Sequence, residues 1–309
     1  MRTDSTLFLI ANCAATKRVA AGEPVYLRNW SGSVRQRFRW WRNAIEGQHY
    51  TMPARDCYAG DAWSQVLAAE DTSRGKSQLW VVSAGLGLLP ADFPIPNYSA
   101  TFVNSDPDSV ASDSPGRTDW WNLLVEWRRQ TSGIGSITDL ALANPKSVFL
   151  IALSAPYLTV LKHDIVAARS VLASPDNLLV ISAGIRAIAG LGSSLLPIDA
   201  RFENLVGGAR STLNARMLRY IVVENNSQNL SAAKISAALT ATAKGLDSPR
   251  SVERLPLDDN DVATFIRPRL KETPRPSASV LLRSLRDGGF ACEQKRFHRL
   301  YKTIHLAQI

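Results

Sequence analysis

Cysteine and histidine are scarce in this chain of 309 residues, and the few present do not cluster. Cys13, Cys57 and Cys292 show no Cys-x-x-Cys spacing, which excludes a disulfide framework and the common zinc and iron–sulfur motifs. His49, His163, His298 and His305 have no paired metal-ligand spacing, so neither a metal nor a cofactor is expected. No uninterrupted apolar run approaches the length of a membrane span, and Met1-Arg-Thr-Asp-Ser-Thr6 leads into an apolar strand instead of a signal peptide. A cytoplasmic protein with no membrane partner is the expectation. A P-loop, a Gly-x-Ser-x-Gly elbow and a complete Gly-x-Gly-x-x-Gly are also missing, which removes three widespread signatures of nucleotide and acyl chemistry.

What the chain has in quantity is apolar sequence, 45% of it, concentrated in short runs. Four of these share one grammar: Leu7-Phe-Leu-Ile-Ala-Asn-Cys13, Leu79-Trp-Val-Val-Ser83, Val148-Phe-Leu-Ile-Ala-Leu-Ser154 and Leu178-Leu-Val-Ile-Ser-Ala-Gly184. Continuous β-branched runs that end in small or polar residues read as strands buried on both faces, and the intervening segments are long enough for helical crossovers. The expected fold is α/β, a three-layer sandwich around a four-stranded parallel sheet. Ser231–Gly245 reads as an Ala-rich helix ahead of a polar, Pro-bearing stretch, so a boundary is placed near 228. This gives an α/β domain over 1–228, with an insertion at 18–52, and a basic helical domain over 229–309.

The net charge of +9 favours an anionic partner. One basic cluster is Arg35-Gln-Arg-Phe-Arg-Trp-Trp-Arg42, where Arg35, Arg37, Arg39 and Arg42 interleave with Phe38, Trp40 and Trp41. Guanidinium groups there can hold phosphates while indoles stack on bases or wedge into an opened duplex; equally, the aromatics can bury against the sheet. A second cluster lies between 275 and 302, with seven Lys or Arg against two acids. Ser277–Arg286 has helical periodicity, Gly288-Gly289 breaks it, and Ala291–Tyr301 resumes it, a helix-turn-helix-like pattern. Its second helix would expose Lys295, Arg296, Arg299 and Lys302, with Phe297, Leu300 and Tyr301 facing inward.

Chemistry-bearing residues gather where open α/β sheets keep their sites, at the carboxyl ends of strands. Asn12-Cys-Ala-Ala-Thr-Lys17 follows the first strand, and Pro53-Ala-Arg-Asp-Cys-Tyr58 forms a second polar island. By type, Asp56 is the general-base candidate, its alternative role being a helix cap or a partner of Arg55. Cys13 is a thiol at a strand end; Lys17 is a phosphate ligand, or an amine nucleophile if its pKa is lowered. Ser83, Gly85 and Gly87 read as positions of close backbone approach to a ligand.

Cys13-x-x-x-Lys17, Pro53–Tyr58, Ser83-Ala-Gly-Leu-Gly-Leu-Leu89 and Ile95-Pro-Asn-Tyr98 together resemble a group of bacterial domains similar to distant members of the uracil-DNA glycosylase-like α/β superfamily, which also includes a domain of archaeosine synthase. The resemblance covers residues 6 to 102 by motif. The chain departs from it in having no Asp-Pro loop after the first strand, no His-Pro-Ser loop after the fourth (Ser182-Ala-Gly-Ile-Arg186 instead), and Arg18-Val19 after Lys17. The resemblance implies a DNA glycosylase that flips a base out of the duplex and cleaves its N-glycosidic bond. Asp56 would stabilise charge on the sugar, and Asn12 would bond the base. Tyr98 or Phe93 would stack on it. Cys13, Lys17, Arg55, Tyr58, Ser83, Gly85, Gly87, Ser154, Tyr157 and Ser182 would hold base or phosphates. Similarity to antiphage glycosylases suggests a modified base such as glucosylated hydroxymethylcytosine in double-stranded phage DNA. Two alternatives stay open: a tRNA or deazaguanine base-modifying enzyme working through Cys13 and Lys17, and a non-catalytic nucleic-acid-binding regulator.

Overall fold

The structure is a computed structural model and describes residues 6–18, 22–49, 51–73, 75–225, 230–247, 254–272 and 276–306. The chain forms two compact units, residues 1–249 and 250–309. Among the described residues no helix is long and apolar enough to cross a membrane.

The first unit is α/β. Its central sheet is built from β1 (Leu7–Asn12), β2 (Ser77–Ser83), β3 (Gly87–Pro90), β4 (Val148–Ala152) and β5 (Leu178–Ile181), in the order β3-β2-β1-β4-β5. The four expected runs are the parallel strands, in a register that sets Phe8 beside Phe149, whose rings stack at 4.9 Å. The expectation of a four-stranded, all-parallel sheet is corrected by β3, which returns antiparallel along β2 and makes the sheet mixed and five-stranded. A tight turn through Ala84–Leu86 permits this, since Gly87 adopts a φ of +80°.

Helices α1 (Val34–Glu46), α2 (Ala54–Cys57), α3 (Asp61–Thr72), α4 (Ser114–Ser132), α5 (Ile137–Ala143), α6 (Ala155–Val171), α7 (Leu213–Glu224) and α8 (Ala232–Lys244) surround the sheet. α4 packs on α1, α6 and β3, whereas α7 packs on α3 and the β4–β5 side. Local chemistry sets their ends. Ser33 and Gln36 form a capping box on α1, Ser136 and Asp139 do so on α5, and α4 starts at the Asp113 cap and stops at Gly133 with φ +77°.

The proposed boundary at 228 falls outside the described residues, and the helix assigned to the appendage belongs to the first unit. Ala232, Ile235, Leu239 and Ala243 of α8 are buried in the same core as the sheet, and Ser231 bonds Asp176. Alanine-rich composition made this helix look autonomous, yet its apolar stripe needs the sheet domain to cover it.

The second unit holds α9 (Asp259–Arg269), α10 (Ala278–Asp287) and α11 (Gln294–Leu306) around Val262, Ile266, Leu281, Leu285 and Phe297, with Leu255–Pro256 paired to Phe290–Ala291. Gly288 caps α10 and Gly289 takes φ +85°, where the sequence places the break.

Candidate functional site

From β1 the chain leads to β2 on one side, and from the neighbouring β4 it leads to β5 on the other. Such a reversal opens a crevice outside the carboxyl ends of the two central strands. Asn12 ends β1 there and Cys13 follows it, and Ser154 and Tyr157 follow β4. Asn12 Oδ1 accepts the Ser154 backbone N–H at 3.0 Å while its Nδ2 donates to the Cys13 carbonyl at 3.1 Å. One contact at each end of the amide ties the two strand ends together, a clamp that leaves one Oδ1 lone pair and one Nδ2 proton unused by these bonds. Cys13 Sγ lies 3.3 Å from the Tyr157 hydroxyl, and both residues are buried.

The segment after Cys13 is laced to α2: Ala59 N donates to Thr16 O, Arg18 N to Cys57 O, and Lys17 pairs with Tyr58 in an antiparallel bridge. This pairing lays Lys17 across two tyrosines, with Nζ 4.2 Å from the ring centre of Tyr98 and 5.6 Å from that of Tyr58. Burial lowers the Lys17 pKa below the ordinary lysine value, against the opposing influence of Cys13, Cys57 and the Asp108 carboxylate. Burial also raises the phenols of Tyr58, Tyr98 and Tyr157 well above their usual value, so the platform beneath the amine stays neutral.

Beneath that platform runs a buried hydrogen-bond chain. Ser83 Oγ accepts the amides of Gly85 (3.1 Å) and Leu86 (2.9 Å), which directs its own proton to the Tyr98 oxygen at 2.6 Å. Tyr98 in turn meets the Tyr58 hydroxyl at 2.6 Å. Indole donors occupy the outward carbonyls of the same turn: Trp120 Nε1 to Ala84 O (2.8 Å) and Trp41 Nε1 to Gly85 O (2.7 Å). The expectation that Ser83, Gly85 and Gly87 offer backbone to a ligand is thus corrected. All three are buried, and the turn's polar groups are consumed by the protein.

Other expected site residues fall elsewhere. Asp56 is exposed on α2, whose inward positions are Ala54 and Cys57, so it does not join the cluster and is corrected as the catalytic carboxylate. Arg55 pairs with Glu70 and Asp92, not with Asp56. Phe93 is half-buried with its ring face covered by the Arg128 guanidinium at 4.3 Å, which corrects its stacking role. Ser182 is fully buried behind the end of β5. Cys13, Lys17, Tyr58, Ser83, Tyr98 and Tyr157 are the expected residues that do converge. Sequence reasoning missed Asp108, which is buried and takes a bidentate pair from Arg28 along with the Ser99 hydroxyl; it pins the insertion to the loop after Tyr98.

In the first basic cluster the residues divide by face. Phe38 and Trp41 are buried, Arg37 donates to the carbonyls of Trp30, Ser109 and Val110, and Arg42 pairs with Glu46. Trp41, Arg37 and Arg42 are thereby corrected from nucleic-acid contacts to packing. Arg35, Arg39 and Trp40 remain exposed on one side of α1, Trp40 at 44%. In the second unit Arg296 is held by Asp259, Arg299 is 3.9 Å from the same carboxylate and largely exposed, and Lys302 is exposed; the Lys295 side chain lies outside the described residues. Phe297 is buried, with Leu300 and Tyr301 packed beside it, the inward face read from the sequence. If Arg299 and Lys302 contact phosphates, the double change Arg299→Glu with Lys302→Glu weakens nucleic-acid binding at 50 mM salt and flattens the log–log salt slope by about 2. Arg296→Glu instead destabilises the unit by setting Glu against Asp259. Filter-binding titrations and thermal melts separate the two effects.

No protein-family model matches the chain, and no curated protein matches it.

Proposed function

We propose that the chain is a DNA glycosylase of the uracil-DNA glycosylase-like α/β superfamily, built as a three-layer domain with a helix-turn-helix-like appendage, and that its reacting group is the Lys17 amine. The observation that carries this reading is the placement of a desolvated lysine over the Tyr98 ring, on the segment that follows the carboxyl end of β1. The exposure of Asp56, away from the cluster, argues against carboxylate-activated water, and an amine with lowered pKa supplies the alternative nucleophile.

In the proposed step an extruded nucleotide presents C1′ to neutral Lys17 Nζ. A C–N bond forms to the lysine, the glycosidic bond breaks, and its electron pair leaves with the base, which takes up a proton. The amine loses a proton as the sugar ring opens, giving an imine. Water then releases the lysine and leaves an abasic site, or elimination of the 3′-phosphate cuts the strand. Arg35, Arg39 and Trp40 suit the flanking phosphates and an unstacked base. By the antiphage resemblance, the substrate is a bulky modified base such as glucosylated hydroxymethylcytosine.

The test is to incubate the protein with unmodified DNA, glucosyl-hydroxymethylcytosine phage DNA and bulk tRNA, and to follow free base by mass spectrometry and abasic sites by alkali. Release from the modified DNA is expected, with an ascending pH limb whose midpoint lies below the ordinary lysine value of 10.5, because Nζ must be deprotonated to attack. No release from DNA, with a mass change in tRNA, contradicts the reading and favours base modification instead.

A further inference from the structure

On α4, Arg128 is 4% exposed, yet its Nε and Nη2 have no hydrogen-bond partner. The arginines that pack elsewhere in this unit all reach oxygen: Arg28 to Asp108, Arg55 to Glu70 and Asp92, Arg129 to Asp139, Arg216 to Asp61, and Arg37 to three carbonyls. Arg128 has only the Phe93 ring, 4.3 Å from its guanidinium carbon.

A guanidinium cannot shed its proton to escape burial, and a buried charge without a counter-charge costs several kcal/mol. Buried polar atoms without partners are rare enough that each needs a physical reason. The sequence also makes room for this side chain. Gly87, at φ +80°, lets the arginine stem lie on the edge strand β3, where a Cβ would come within 2.8 Å of Arg128 Cγ. Phe93 is half-buried, and its ring lies over the guanidinium.

We infer that Arg128, Gly87 and Phe93 form a binding site for a phosphate-class oxyanion on the edge strand, taking two oxygens on Nε and Nη2 while the Phe93 ring holds the guanidinium face. A guanidinium fork matches such an anion in bidentate geometry. The site goes beyond the Lys17 chemistry and does not depend on it. Free phosphate and the phosphate of a nucleotide share this chemistry.

The experiment is thermal unfolding of the full chain in inorganic phosphate against chloride at matched ionic strength. A saturable rise is expected in the millimolar range, amounting to about a hundredfold in the folding constant at a hundred times Kd. Arg128→Met abolishes the saturable response, and Arg128→Lys, which keeps the charge but loses the fork, weakens it. A 5′-phosphorylated dinucleotide compared with its unphosphorylated form assigns the source: a larger shift than free phosphate gives marks a nucleotide, an equal shift marks the free ion. The proposal is overturned if wild type shows only the linear, non-saturating rise of an excluded salt, or if wild type and Arg128→Lys respond equally. It is also overturned if Arg128→Met folds more stably than wild type and phosphate changes neither.

Discussion

Lys17→Met lowers base release by about 10³-fold or more, the scale of removing a group that reacts with the substrate, while leaving the fold as stable as wild type or more so. The second half follows from linkage. The folded-state pKa of Lys17 lies below its unfolded value, so between the two the unfolded chain binds more protons and stability rises with pH. Below the folded-state value the lysine is charged in both states and the folded state bears the full cost of desolvating it. An uncharged side chain of similar length removes that cost and keeps the contact with Tyr98. Substrate affinity, measured by titration, changes little, because Arg35, Arg39 and Trp40 on α1 are untouched. A melt of Lys17→Met well below wild type would instead make Lys17 a structural element.

Gly85→Ala destabilises the first unit by about 1–3 kcal/mol, the range for overpacking a filled core. In an open turn with ordinary backbone angles, the same change would stabilise slightly by restricting the unfolded chain. The sign reverses here because an added Cβ comes within 2.7 Å of the Tyr98 ring and 2.9 Å of Trp41, both buried to 1% or less. The displaced ring is also the one that carries Lys17 and accepts from Ser83, so activity falls beyond what the melt explains. Urea titrations give the first quantity, and base-release rates at a temperature where both variants are folded give the second. An unchanged midpoint would restore the reading of Gly85 as a ligand-approach position.

The four parallel strands were legible because a strand buried on both faces has to be apolar throughout. β3 was not, because the glycine-spaced segment after Ser83 reads as a loop approaching a ligand, and four residues, Gly87–Pro90, are too short a run to mark a strand on their own. The sequence leaves open whether Phe38, Trp40 and Trp41 bury or stack, and burial of Phe38, Trp41 and Ile45 settles the inner face of α1; the partners that take Arg37 out of solution, Ser109 and Val110, lie far along the chain where no local pattern points to them. The same limit explains Asp56 and Asn12. Residue type suggested chemistry for both, whereas their roles turn on which way a four-residue helix faces and on a backbone amide after β4. Cys13, Lys17, Tyr58, Ser83, Tyr98 and Tyr157, which the structure brings together, could be grouped from sequence because they follow strand ends or share a motif with residues that do. Arg128 gave no sequence signal, since one arginine on an amphipathic helix reads as a solvated one.

The most direct test of the central claim is borohydride reduction of the protein while it turns over glucosyl-hydroxymethylcytosine DNA, followed by peptide mass spectrometry of the cross-linked species. A covalent adduct of protein and DNA mapping to Lys17, and absent in Lys17→Met, is the expected result. Base release that proceeds with no trapped adduct at Lys17 would contradict it, returning the amine to a phosphate contact and the chemistry to water.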